Sequence, residues 1–129
     1  MLKGQNTFLR AIEEKDLEEL RVWRNNPELR KFFREYKELS EYDQQLWYQK
    51  FVLPKSNTLM FSIIDNNSEI LLGACGLCYI DWLRRSADLS IYIGYKGIYL
   101  DDTYAIDSAK TLNKYGFEEI GLHRLWAEV

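Results

Sequence analysis

The sequence predicts a single domain of the α/β (α+β) class, with a mainly antiparallel central sheet and flanking helices. Three observations carry that prediction. The first third holds one strand pattern and then two or three amphipathic helix patterns. The middle is a run of strand formers broken by the turn signal Asp65-Asn66-Asn67-Ser68. The last third alternates strand, helix and strand.

Taken in order, Phe8-Leu9-Arg10-Ala11-Ile12 has the alternation of a half-buried strand. Asp16 with Glu19 three residues on has the form of a capping box, opening a helix with Leu17, Leu20 and Trp23 on one side. That helix should stop before Pro27, which suits the first turn of a second helix running through Leu29, Phe32 and Phe33. Ser40 and Asp43 mark a third start, whose expected apolar face is Leu46, Trp47, Phe51 and Val52 until Pro54. Residues 58–64 read as a strand and residues 70–82 as its hairpin partner. In residues 87–94, Leu89, Ile91 and Ile93 alternate with Asp88, Ser90 and Tyr92. A helix over 103–116, capped by Asp101 or Asp102, would pack Ala105, Ala109 and Leu112. Residues 122–129 read as a last strand, with Leu125, Ala127 and Val129 expected on one face and Arg124, Trp126 and Glu128 on the other. Such a strand leaves an unpaired edge, so residues 1–129 are expected to be one domain lacking its C-terminal strands, and the edge offers a homodimer contact.

Composition narrows the function. A chain of 129 residues with 47% hydrophobic residues folds around one core. Its 17 basic against 20 acidic side chains disfavour a nucleic-acid partner. No apolar run approaches the roughly 18 residues of a membrane span, so no membrane partner is expected. Two cysteines and the absence of a signal-peptide pattern make the cytoplasm the expected compartment. Cys75 and Cys78 form a C-x-x-C, but strand positions three apart face opposite sides and one histidine, His123, cannot complete a zinc set. They are read as small core residues, and no metal is expected. The stretch from Arg21 to Lys37 interleaves basic and aromatic residues. It can be an amphipathic helix pair with aromatics inward, an acceptor pocket, or an RNA-contacting surface.

Two groups of residues carry a family resemblance. Phe8-Leu9-Arg10, Asp16 and Trp23-Arg24-Asn25-Asn26-Pro27-Glu28-Leu29-Arg30 form the first. Tyr104-Ala105, Lys114-Tyr115-Gly116-Phe117 and Leu122-His123-Arg124-Leu125-Trp126-Ala127-Glu128 form the second. Together they resemble the GCN5-related N-acetyltransferase (GNAT) superfamily, in the branch of ribosomal-protein N-terminal and amino-sugar acetyltransferases. The resemblance implies an acyl-CoA N-acyltransferase-like fold and an acetyl group moved from acetyl-CoA to a primary amine, on a small molecule or a peptide. It places the acetyl-CoA arm between two splayed strands, with Tyr92, Ile93 and Gly94 lending amides, and the diphosphate at the helix start formed by Asp101, Asp102, Thr103, Tyr104 and Ala105, with Lys96 adding positive charge. It makes Glu128 the general base, Asp81 the second choice, and Arg24, Asn25 and Trp126 acceptor contacts. The family's general-acid tyrosine would fall beyond Val129. The family loop Gln/Arg-x-x-Gly-x-Gly/Ala stands here as Leu100-Asp101-Asp102-Thr103-Tyr104-Ala105, matching only at Ala105. A non-catalytic binding or regulatory module is therefore the alternative reading.

Overall fold

The computed structural model describes residues 1–34 and 36–127. Strands β1 (Leu2–Lys3), β2 (Thr7–Ala11), β3 (Leu59–Asp65), β4 (Leu71–Asp81), β5 (Ser86–Ile93) and β6 (Arg124–Trp126) lie side by side in chain order. Every neighbouring pair is antiparallel except β5 and β6, which run parallel. Helices α1 (Leu17–Asn25), α2 (Pro27–Arg30) and α3 (Glu41–Trp47) precede β3, and α4 (Tyr104–Lys114) links β5 to β6. This is the α+β architecture expected of the sequence, with β1 as an extra edge strand.

Strand alternation splits the core into two layers. Leu9, Ile63, Cys75, Leu77, Ala87 and Ile93 meet Ala105 and Leu112 of α4. Ala74 and Tyr92 meet Leu17, Leu20, Trp23 and Leu29 of the first helices on the other side. Each of the fully buried leucines contributes about 2 kcal/mol, and loss of either layer would expose one face of the sheet. Gly94 ends β5 with no side chain because the indole of Trp23 fills that space; a Cβ there would sit 2.0 Å from Trp23 Cδ2.

The local signals act mostly as expected. Ser40 accepts from the Asp43 amide at 3.0 Å while Asp43 accepts from the Ser40 amide at 2.9 Å, a reciprocal capping box. Asn26 caps α2, with Pro27 in its first turn. Three expectations are corrected. Asp16 does not cap α1: it closes a 3-10 turn begun at Glu13, donating no cap to Glu19's helix and accepting instead from the Glu13 amide. Helix α2 stops at Arg30, and Phe32 stacks on Tyr99 at 4.3 Å rather than extending the helix. Helix α3 widens into a π turn over Tyr48–Val52, which rotates its buried face. Gln44 and Tyr48 point inward, while Leu46 and Phe51 are exposed.

Candidate functional site

The parallel ladder between β5 and β6 is short. It pairs Ser86 with Arg124, Ala87 with Leu125 and Asp88 with Trp126. Past Asp88, no described residue continues it until the bridge between Ile93 and Tyr99. Backbone groups in a strand alternate sides, so the N–H and C=O of Ile91 face away from β4, on the side where the described pairing with β6 ends at Asp88. The amides expected to be available are those of Tyr92, Ile93 and Gly94, and each is directed at another part of the chain. The Ile93 amide donates to Tyr99 O at 2.6 Å and the Gly94 amide to Leu72 O at 2.8 Å. Tyr92 faces its partner Ala74 on β4. Ile93 is taken because the chain after β5 coils through Lys96, Gly97 and Tyr99, all at positive φ, and folds Tyr99 back along the edge. Lys96 lies in that coil, exposed, with its ammonium 5.4 Å from the Tyr95 ring.

The start of α4 is the second part of the site. Asp101 accepts from the Tyr104 amide at 3.0 Å and the Ala105 amide at 2.7 Å. Asp102 and Thr103 are exposed beside it. A helix N-terminus offers its unpaired amides to an anion, and here a carboxylate of the chain itself holds two of them. The direction of the Ile91 amide suits an extended, amide-bearing arm, whereas the amides of Tyr104 and Ala105 are not presented to a diphosphate while Asp101 caps them. One turn on, Asp107 accepts from the amides of Gln5, Asn6 and Thr7 and from the Thr7 hydroxyl, at 2.8–3.0 Å. These bonds hold its carboxyl below the ordinary value although burial alone would raise it.

The sheet face under α1 and α2 is the third part. The Arg24 guanidinium lies 4.5 Å from the Phe33 ring centre. Asn25 donates to Leu39 O at 2.9 Å and accepts from the Leu39 amide at 2.7 Å, so its side chain clamps the segment after α2. Trp126 is partly exposed and sits in register with Asp88. Asp81 is spent at the β4–β5 turn, accepting from the amides of Leu83 and Arg84. Glu128 lies outside the described residues.

Asp88 was legible only as one polar position among three on β5. It is 4% exposed and accepts from Arg34 Nη2 at 2.7 Å. Opposite it, β4 carries one residue more than β5 between the pairs Cys78–Asp88 and Asp81–Ser86, a bulge that sets Tyr79 at φ 50°. The Arg34 guanidinium lies 5.9 Å from the Tyr79 ring centre. Burial and the negative charge of Asp88 push the Cys78 thiol up to about 11, against the opposing effect of Arg34. Cys75 lies on the other face in the α4 layer, its thiol also raised by burial. The two thiols therefore do not form a pair.

With this geometry in place, the comparisons decide the family. The acetyltransferase (GNAT) domain model matches residues 6–129. This chain belongs to the GNAT acetyltransferases. These enzymes use acetyl-CoA as acetyl donor and an amine as acceptor. No curated protein matches the chain. Among solved structures, a spermidine N-acetyltransferase from Vibrio cholerae, in complex with CoA and spermine, is similar with a TM-score of 0.83 and 24% identity, over 95% of this chain and 70% of that one. A GNAT family acetyltransferase from Bacillus anthracis has a TM-score of 0.79 and 24% identity, over 98% of this chain and 71% of that one. At these identities the likeness establishes the fold. No helix among the described residues is long and apolar enough to cross a membrane.

Proposed function

We propose that this GNAT domain acetylates a primary aliphatic amine on a small molecule, by direct attack on the side of β5 that faces away from β4. The observation that carries the reading is the direction of the Ile91 amide, which strand alternation turns to the side of β5 away from β4, past the last described pair Asp88–Trp126. Acetyl-CoA supplies an activated thioester carbonyl. An N–H held rigidly by the β4 ladder and turned to a carbonyl oxygen stabilises the negative charge that grows there during attack. The C–N bond forms, the C–S bond breaks with its electron pair leaving on CoA as the thiolate, and the amine gives up a proton. Glu128, two residues beyond Trp126 in the chain, is the proposed acceptor of that proton, directly or through water. Asp81 is the weaker choice, since its carboxylate already serves the hairpin turn. Arg24 and Trp126 are the proposed acceptor contacts, and Asn25 supports them by fixing Leu39. Small amines are favoured because several of the solved neighbours are described as spermidine N-acetyltransferases.

The test is Glu128→Gln. The expected loss is about 10²-fold in kcat/KM, the usual size for a missing general base, with unchanged binding of CoA by calorimetry. An unchanged rate removes Glu128 from the reaction. Failure of the unmodified chain to bind acetyl-CoA or to acetylate any amine overturns the reading as a whole.

A further inference from the structure

We propose that Asp88 and the ring of Tyr79 form a seat for a second positive charge on the acceptor, and that Arg34 fills this seat until the acceptor displaces it. The inference rests on the reading above that the acceptor is an amine.

Asp88 projects from β5 into the layer beneath α1 and α2, where burial of a carboxylate is costly without a cation. The cation the structure supplies is unusual for a buried pair. Arg34 comes from the segment after α2, 54 residues away in sequence, and its side chain is 52% exposed while that of Asp88 is 6% exposed. The buried member is fixed by the sheet, and the exposed member hangs from a turn. Of the two, the guanidinium is the one that can leave.

The surroundings suit another cation in its place. The bulge at Tyr79 carries an aromatic residue in the left-handed region, which bulky side chains rarely adopt. That bulge brings the exposed Tyr79 ring to the same guanidinium that Asp88 binds. A carboxylate and an aromatic face on one cation are the two elements that recognise an ammonium group. An open depression lined by Arg34, Tyr36, Lys37 and Tyr79 leads to the place.

Spacing then defines the acceptor. Asp88 and Ile91 are three residues apart on one strand, roughly 10 Å at the rise of a β-strand. A charge at Asp88 is therefore too far along to belong to the nitrogen that reacts beside Ile91. It suits the far end of a linear diamine or triamine. A monoamine would reach the reacting position without displacing Arg34.

Calorimetric titration of spermidine and of butylamine at matched ionic strength, without acetyl donor, tests the seat. In Arg34→Gln the competitor is gone, so spermidine should bind about tenfold tighter than to the wild type, and butylamine should not. Asp88→Asn should weaken spermidine about tenfold. Tyr79→Leu, a change at a largely exposed ring, should weaken it less and serves as the probe should Arg34→Gln not fold. Spermidine binding unaffected by Asp88→Asn and Tyr79→Leu, or no tighter to a folded Arg34→Gln protein, overturns the proposal. Because no acetyl transfer is read, an inactive chain that shows this pattern contradicts the proposed function alone. An active chain that prefers butylamine contradicts the seat alone.

Discussion

Asp16 and Asp88 are both buried carboxylates on the same helical side of the sheet, and both pair with an arginine, yet they are built in opposite ways. Asp16 accepts from Arg10 Nη1 and Nη2 at 2.7 and 2.9 Å, from the Glu13 amide at 2.9 Å and from the Ser62 hydroxyl at 2.9 Å. Its arginine is mostly buried and six residues away. Asp88 accepts from Nη2 of an arginine on a distant turn, and half of that side chain is in water. A carboxylate held by four donors in the protein interior organises the fold. One joined to a long, exposed cation is arranged so that the cation can be exchanged.

The largest effect that would break this contrast belongs to Asp16. Replacing it by alanine leaves Arg10, the Glu13 amide and Ser62 without their acceptor, and should cost about 3 kcal/mol in urea unfolding. The same group predicts a pH dependence. Burial would raise its pKa, but the bonds from Arg10, Glu13 and Ser62 outweigh burial and lower it. A carboxyl with a lowered folded-state pKa adds stability above the unfolded value, near 4, and loses it as pH falls through the folded value. The acid limb of the stability curve should therefore shrink in Asp16→Asn, and an unchanged limb would mean that Asp16 is not what acid attacks.

A smaller difference separates the two arginines. Arg10→Gln should cost about 2 kcal/mol because a buried carboxylate loses a two-bond partner. Arg34→Gln should cost about 1 kcal/mol, since its departure admits water to Asp88. Equal losses would erase the distinction drawn here. The smallest stability change is expected at a third carboxylate, Asp101. Its replacement by alanine removes a helix cap worth about 1 kcal/mol and releases the amides of Tyr104 and Ala105. Thermal unfolding should fall slightly while titrated CoA binds more tightly. Weaker CoA binding would show that the cap supports the donor site instead of competing for it.

The parts of this molecule that were legible in sequence are those fixed by near neighbours. The two faces of β5, the Asp65–Ser68 turn, the Ser40–Asp43 box and Pro27 in a first turn all follow from side chains within a few residues of one another. Misreadings arose where the partner was not local or where two local options competed. Asp16 could close a turn from Glu13 or open one toward Glu19, and Arg10 and Ser62 settle the choice from other strands. The Ile93 amide is occupied because Tyr99 folds back, a path set by three left-handed residues in a segment that holds two glycines but no turn motif. Asp88 and Arg34 stand 54 residues apart, and no periodicity joins them.

The grip of Asp107 on Gln5, Asn6 and Thr7 spans about a hundred residues of chain. Long-range closures of this kind slow folding, because chain entropy is lost before the contact compensates for it. During synthesis the opening strand has its hairpin neighbours once β3 emerges, but its first turn has no acceptor until α4 has been made. Amide protons at Gln5 to Thr7 should accordingly be among the last to become protected as the chain matures, and their protection would report that the helix facing the donor has docked.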